Sequence, residues 1–259
     1  MFRIRLIPRR ETLFFLHVPK CAGTTFVEEV LRKRFPPQRL LIFYEHRTED
    51  LIRRLQTMGS RQQRRIHCLA GHFAYGVHRF YTARPVLYLT VLRDPIERTI
   101  SHYHQAWRRQ DHYLHRAVRE NNLSLREYVE RRLSAELDNG QTRLIAGVGW
   151  GAPQGECPPT MLAAAKEHLD SFAVVGLTDM FDGFLQLVQR RFGWEIPAYQ
   201  KRNVAETRMA RQNLDPQTLA AIEAANQSDL DLYRYAQGLF AAQWQRLFPE
   251  QPLAIGSDN

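Results

Sequence analysis

The chain has 259 residues, 44% of them hydrophobic, enough to bury a full core as one large domain. Its 36 Lys and Arg against 27 Asp and Glu leave a formal net charge of +9, so its partners are anions: nucleic acid, acidic lipid, acidic polysaccharide or a nucleotide. Three scattered cysteines, Cys21, Cys68 and Cys157, exclude a disulfide framework, and the lack of a CxxC pair removes the zinc signature.

The opening run Met1 to Arg10 is interrupted by arginines and a proline and reads as neither signal peptide nor membrane span. Residues 12–18 are an apolar, aromatic run ended by Pro19, predicting a buried strand. A Gly-containing loop follows, then a helix from Phe26 to Arg34 whose Phe26, Val27, Val30 and Leu31 recur at helical spacing. Leu40 to Tyr44 predicts a second strand, 48–58 a short helix, and Ile66 to Ala70 a third strand stopped by Gly71-His72. Val86 to Leu92 is the clearest central strand, with Arg93 at its C-terminal end. Asp94-Pro95-Ile96-Glu97 then reads as a helix start: Asp as N-cap, Pro at the first helical position, Glu97 capping its own helix. Ile96, Ile100, Tyr103 and Trp107 share one face, which is expected to pack on the sheet.

Residues 111–148 read as mostly helical and polar, and the Gly- and Pro-rich stretch 147–159 as a flexible flap. Ala173 to Leu177 predicts the last strand, and Met180 to Phe192 a helix closed by Gly193. A basic loop over 198–213 precedes a helical region from Asp215-Pro216 to Phe248, broken near Asn226 to Asp229. Strands alternating with helices predict an α/β fold with a central parallel sheet. A single domain over 1–259, with its core at about 12–248, is expected.

Two constellations carry chemistry. A strand-to-helix loop, Pro19-Lys20-Cys21-Ala22-Gly23-Thr24-Thr25, has the Gly and hydroxyl residues that turn backbone N–H groups onto a phosphate-sized anion, with Lys20 adding charge. The same residues also suit a plain turn. Because the lysine precedes the glycine, an ordinary ATP or GTP loop fits poorly. Arg93 with Ser101, two helical turns apart, could converge on a second phosphate, or Arg93-Asp94 could be only a cap and a surface pair.

Together, in this order and separation, the two resemble the PAPS-dependent carbohydrate sulfotransferases, especially the heparan sulfate 2-O and 6-O branch. Phe15 to Phe26 is similar to their 5′-phosphosulfate loop, and Leu92 to Tyr103 to their 3′-phosphate motif. Fainter likeness continues at Ala70 to Phe73, Asp138 to Arg143, Val175 to Thr178 and Asn226 to Ala236. The resemblance implies a nucleotide-kinase-like three-layer sandwich with helices on both faces of the sheet. It also implies 3′-phosphoadenosine 5′-phosphosulfate (PAPS) as donor, adenosine 3′,5′-bisphosphate as product, and no metal. Residues Pro19 to Thr25, Arg93 and Ser101 would bind the donor, and Lys20 would stabilise the leaving phosphate.

For the general base, Gly71-His72 ends a predicted strand, facing the crevice where open α/β sheets bind ligands. It aligns with a Gly-His of the 2-O-sulfotransferases in which the histidine is taken as the base, and imidazole titrates near neutrality. His17 is the next candidate, then His67 and His78. The resemblance also sets Asn139, Gln141 and Arg143 near the acceptor or donor. Arg98, Arg108 and Arg109 read as solvated charge or as guides for an anionic acceptor. Cys21, beside Lys20 at a helix start, is expected to have a lowered thiol pKa without a partner to make it a nucleophile. Trp150 and Trp194 could stack on a sugar or anchor the core.

Animal members of that family carry an N-terminal Golgi anchor, whereas this sequence opens almost at its first strand, so a bacterial, cytoplasmic enzyme is expected. Its acceptor would be a hydroxyl-bearing carbohydrate or glycolipid, with no transmembrane segment, although peripheral membrane contact suits the charge. A small-molecule kinase is disfavoured because Cys21 stands where a Mg²⁺-binding Ser or Thr would follow the lysine. A non-catalytic basic anion-binding protein would make both phosphate motifs accidents, and no nucleic-acid-binding signature is present.

Overall fold

The computed structural model describes residues 11–44, 47–151, 153–196, 198–199 and 211–253. The opening basic stretch and most of the predicted basic loop at 198–213 lie outside them. Five strands, β1 (Thr12–Leu16), β2 (Leu40–Phe43), β3 (Cys68–Gly71), β4 (Val86–Leu92) and β5 (Val174–Leu177), form one sheet in the order β2-β3-β1-β4-β5, all pairs parallel. Each strand falls within two residues of its sequence prediction. Continuous apolar runs such as Leu13-Phe14-Phe15-Leu16 are what a parallel sheet buried on both faces requires. Alternation along β1 shows both faces in use. Phe14 meets Phe73, Tyr81 and Tyr88, while Phe15 meets Phe26, which in turn meets Phe184.

The first helix starts earlier than predicted: α1 (Gly23–Phe26) runs through a π-helical turn (Val27–Leu31) into α2 (Arg32–Arg34). Next come α3 (Thr48–Thr57), α4 (Ser60–Gln63) and α5 (Pro95–Arg108). Short helices α6 (His115–Glu120), α7 (Leu125–Glu130) and α8 (Gly140–Ala146) follow, and then α9 (Pro159–Asp170) and α10 (Phe181–Phe192). The chain closes with α11 (Pro216–Ala225) and α12 (Gln227–Leu247), parted at Asn226 as the sequence predicts. Gly193, in the left-handed region at φ 66°, ends α10.

Helix α5 starts as read: the Asp94 carboxylate accepts the amides of Ile96 and Glu97, both at 3.0 Å, and Pro95 opens the helix. Glu97 does not cap; its carboxylate lies 3.6 Å from the guanidinium of Arg93. Nor does the apolar face pack on the sheet. Ile96 and Ile100 pack with Leu125 and Val129 of α7 and Ile222 of α11, and Trp107 packs with a neighbouring cluster around Val118 and Tyr128. Leaving from the sheet's C-terminal edge, α5 turns its polar face toward the loop after β1, so its apolar face needs a helical cover of its own. Residues 111–148 and α11 supply it. The predicted flap is tied down: Arg143 donates to the carbonyls of Pro153 (2.9 Å) and Glu156 (3.2 Å), and the Gly155 amide donates to Asp138 (2.5 Å).

Candidate active site

Parallel pairing sets the ends of β3, β1 and β4 side by side, with Leu16 opposite both Gly71 and Thr90. The loop after β1, His72 after β3 and Arg93 after β4 therefore meet at one edge of the sheet. Ligands bind at this carboxyl edge in open α/β folds.

The loop is built from strained backbone. Lys20 (φ 70°) and Ala22 (φ 57°) both occupy the left-handed region, which non-glycine residues seldom adopt and which clusters at binding sites. Arg98 Nε donates to the Pro19 carbonyl at 3.1 Å and Arg93 Nη1 to that of Lys20 at 3.1 Å. With its carbonyls so held, the loop offers the first-turn amides of Gly23 and Thr24 at the positive end of a helix, an arrangement that takes an anion. Gly23 is required by proximity: a Cβ there would fall 2.1 Å from Cδ2 of the buried His17 ring. Thr24 is half-buried and Thr25 buried.

Cys21 contributes backbone only. Its side chain is fully buried, 3.5 Å from Gln141 Oε1, and burial pushes its thiol up to about 12, against the lowering expected from nearby cations. Desolvation outweighs Lys20, Arg93 and Arg98 because the sulfur points into the core. Lys20 Nζ, by contrast, reaches over to Gln105 Oε1 at 2.6 Å. Burial first, and then the charge of Arg93, bring its ammonium down to about 8.

Lys20 and Arg93 both engage the polar face of α5. Glu97, Ser101 and Gln105 follow at i, i+4 spacing along one stripe. Arg93 pairs with the first and Lys20 bonds the last, so half-buried Ser101 lies between them. Arg98, read as solvated, is fully buried, spanning the carbonyls of Pro19 and Glu136 (2.8 Å). Arg108 and Arg109 are exposed, the latter paired with Asp111.

The next part of the site was not legible in the sequence. The Glu136 carboxylate lies 3.2 Å from His102 Nε2 and accepts the Tyr113 hydroxyl at 3.2 Å, while His102 Nδ1 meets the Tyr128 hydroxyl at 2.6 Å. Burial would raise this carboxyl, but the His102 hydrogen bond and the charges of His102, Arg98 and His72 overcome it and hold Glu136 at about 2. A half-buried carboxylate thus stands within electrostatic reach of both His72 and Lys20.

His72 is half-buried, its amide donating to the Phe43 carbonyl at 2.9 Å. Its ring packs on His17 and Tyr44, with centroids 4.6 and 4.8 Å away. Gly71 explains the Gly-His pair: a Cβ there would sit 1.7 Å from the Phe43 carbonyl oxygen, which is backbone and cannot yield. Gly71→Ala is therefore expected to cost ~1–3 kcal/mol or more and to lower turnover by moving His72. Thermal unfolding and steady-state kinetics would check both, and a variant of wild-type stability would show that β2 and β3 tolerate the shift.

His17 is buried, stacked on Phe15, with Nδ1 3.3 Å from the Tyr44 hydroxyl. Burial, reinforced by His72 and Lys20, lowers it well below the ordinary imidazole range. His78 bonds the Tyr88 hydroxyl at 3.0 Å, and the His67 amide donates to Arg39 O. Both belong to other parts of the fold.

Of the polar trio after α7, only Gln141 touches the site: it accepts the Arg93 amide (3.0 Å) and donates to the Arg93 carbonyl (2.8 Å). Asn139 receives the amides of Ser228 and Asp229, and buried Arg143 pairs with Asp138 at 2.7 Å. Buried Asp229 accepts the amides of Gln141 (3.1 Å) and Thr142 (2.7 Å), so α12 braces α8, which braces Arg93. Trp194 is buried against Phe35 and Phe192, and Trp150 packs against the core.

A profile described as the sulfotransferase family matches residues 5–236. The chain is 24% identical over 281 residues to chicken (Gallus gallus) heparan-sulfate 6-O-sulfotransferase 2, covering 91% of this chain and 68% of that protein. Human (Homo sapiens) heparan-sulfate 6-O-sulfotransferase 1 is 23% identical over 277 residues, covering 91% and 67%. Zebrafish (Danio rerio) heparan-sulfate 6-O-sulfotransferase 1-B is 23% identical over 280 residues, covering 92% and 68%. These are vertebrate proteins and lend no support to a bacterial source. Among solved structures, mouse sulfotransferase SULT7A1 complexed with PAP aligns with a TM-score of 0.41 at 10% identity, covering 93% of this chain and 85% of that one. The profile takes in the loop after β1, the Arg93-to-Ser101 segment and all five strands, and the chain belongs to the sulfotransferase family.

Proposed function

We propose that this enzyme transfers the sulfuryl group of PAPS to a hydroxyl of a carbohydrate or glycoconjugate, with Lys20 on the leaving-group side and His72 as base. The observation that carries this reading is the convergence of Lys20, His72 and Arg93 at the ends of three adjacent parallel strands. In this scheme the amides of Gly23 and Thr24 and the Thr24 and Thr25 hydroxyls hold the 5′-phosphosulfate. Arg93 and Ser101 hold the 3′-phosphate. The acceptor oxygen bonds to sulfur as the bond from sulfur to the 5′-phosphate oxygen breaks. The acceptor proton passes to His72, and the electron pair left on the phosphate is stabilised by Lys20. The carbohydrate class rests on the names of the relatives above.

The whole of residues 1–259 is read as one domain, since one hydrophobic cluster runs from Leu13 to Trp244. Its three cysteines are free thiols, which suits the reducing, cytoplasmic setting. Among the described residues no helix is long and apolar enough to cross a membrane.

The test is a thermal-shift titration with adenosine 3′,5′-bisphosphate beside ATP plus Mg²⁺. A ligand at 100 times its Kd adds ~2.7 kcal/mol to the native state. Stabilisation by the bisphosphate alone is expected; preference for ATP with Mg²⁺ would move the assignment to a kinase, and no response to either would favour a non-catalytic anion binder.

A further inference from the structure

The large apolar or aromatic side chains exposed among the described residues are Tyr44, Tyr113 and Val148, and two of the three stand at this site. Tyr44, 41% exposed, follows β2 directly, and its ring meets both His17 and His72. Its hydroxyl is anchored on His17 Nδ1 at 3.3 Å, which fixes the ring while leaving a face to solvent. Tyr113, 48% exposed, precedes α6 and stacks on His112 with centroids 4.7 Å apart. Its hydroxyl is held by Ser134 Oγ (2.6 Å) and Glu136 Oε1 (3.2 Å). One ring therefore rises from the β2 side of Lys20 and His72, the other from the α5–α6 side, beyond Glu136.

Covering an exposed aromatic ring removes apolar surface from water, which favours a ligand that packs on it, and a phenol whose hydroxyl is already bonded is a pre-oriented apolar wall. Of the tryptophans that the sequence offered for sugar stacking, Trp194 is buried in the core and half-buried Trp150 packs against it. We propose that Tyr44 and Tyr113 are the two walls of the acceptor subsite and that a pyranose ring packs on the exposed face of Tyr44, presenting its hydroxyl to His72. This rests on the carbohydrate reading above. It assigns acceptor binding to residues outside the phosphate motifs, so donor and acceptor affinities become separable by mutation.

The probes are an N-sulfated heparan oligosaccharide and a panel of simple pyranosides, assayed with PAPS, with adenosine 3′,5′-bisphosphate binding followed in parallel by calorimetry. Tyr44→Ala is expected to raise the acceptor KM about three- to tenfold, the range for losing one aromatic packing contact, with bisphosphate Kd unmoved. Tyr113→Ala should act in the same direction. Tyr44→Phe, which keeps the ring, should recover most of the acceptor affinity. If Tyr44→Phe loses as much as Tyr44→Ala, the contribution is the hydroxyl on His17 and the stacking proposal is overturned. An unchanged acceptor KM in both alanine variants overturns it too, with the function intact. If the wild type binds the bisphosphate yet sulfates no sugar offered, the carbohydrate reading fails and takes this proposal with it.

Discussion

Lys20→Ala is expected to lower kcat by at least ~10²–10³-fold, the usual loss when a group that stabilises developing negative charge is removed. Donor affinity should fall as well, since a charge-assisted contact to phosphate contributes ~1.5–3 kcal/mol. The structure explains why this lysine is suited to the role and adds a pH signature. Its ammonium is parked on Gln105 through one short hydrogen bond, so it can be handed to a ligand by a change of rotamer. Burial and Arg93 bring it down to about 8. A bound anion favours the protonated form, so the pKa rises on binding and a proton is taken up when the pH exceeds 8. The sign follows: wild-type affinity for adenosine 3′,5′-bisphosphate is level below pH 8 and weakens by up to about tenfold per pH unit above it. Calorimetry from pH 7 to 9.5 would check this, and Lys20→Ala should flatten that dependence. Turnover near that of the wild type in Lys20→Ala would place leaving-group stabilisation on another residue.

His72→Ala should cut turnover by ~10²–10⁴-fold while leaving bisphosphate affinity nearly intact. The half-buried ring stands at the end of β3, and accepting a proton would make it an imidazolium facing the field of Glu136. His17, its rival, is 4% exposed, committed to Tyr44 and lowered well below the ordinary range, so it is poorly placed to meet an acceptor. Its role is to shape the floor beneath Gly23 and His72. If His72→Ala lost donor binding along with turnover, the ring would be packing the loop rather than acting as base.

The difference between these histidines shows where sequence reading stops. The strands, the Asp94 cap, the Gly193 stop and the break at Asn226 were legible because each depends on neighbours a few residues away. The loop and Arg93 were legible for the same reason: a Gly-containing turn between strand and helix, and a cation at a strand end, are local patterns. Arg98 was misread because nothing local separates a buried arginine from a solvated one. Its burial depends on the Pro19 and Glu136 carbonyls, 79 and 38 residues away in the chain. Cys21 was misread in the same way: it stands beside Lys20 in sequence, but its side chain lies in the core.

The amino-acid order by itself therefore determined the α/β class, the strand ends and the positions of the loop after β1 and of Arg93, because apolar periodicity, capping and turn chemistry act over one or two helical turns. Only the tertiary structure decided that α5 turns its polar face to the loop, that Glu136 and His102 stand behind the site, and that Tyr44 and Tyr113 are left exposed beside it. Burial and electrostatic reach are properties of distance in space, and parallel strand pairing brings together residues that the sequence holds far apart.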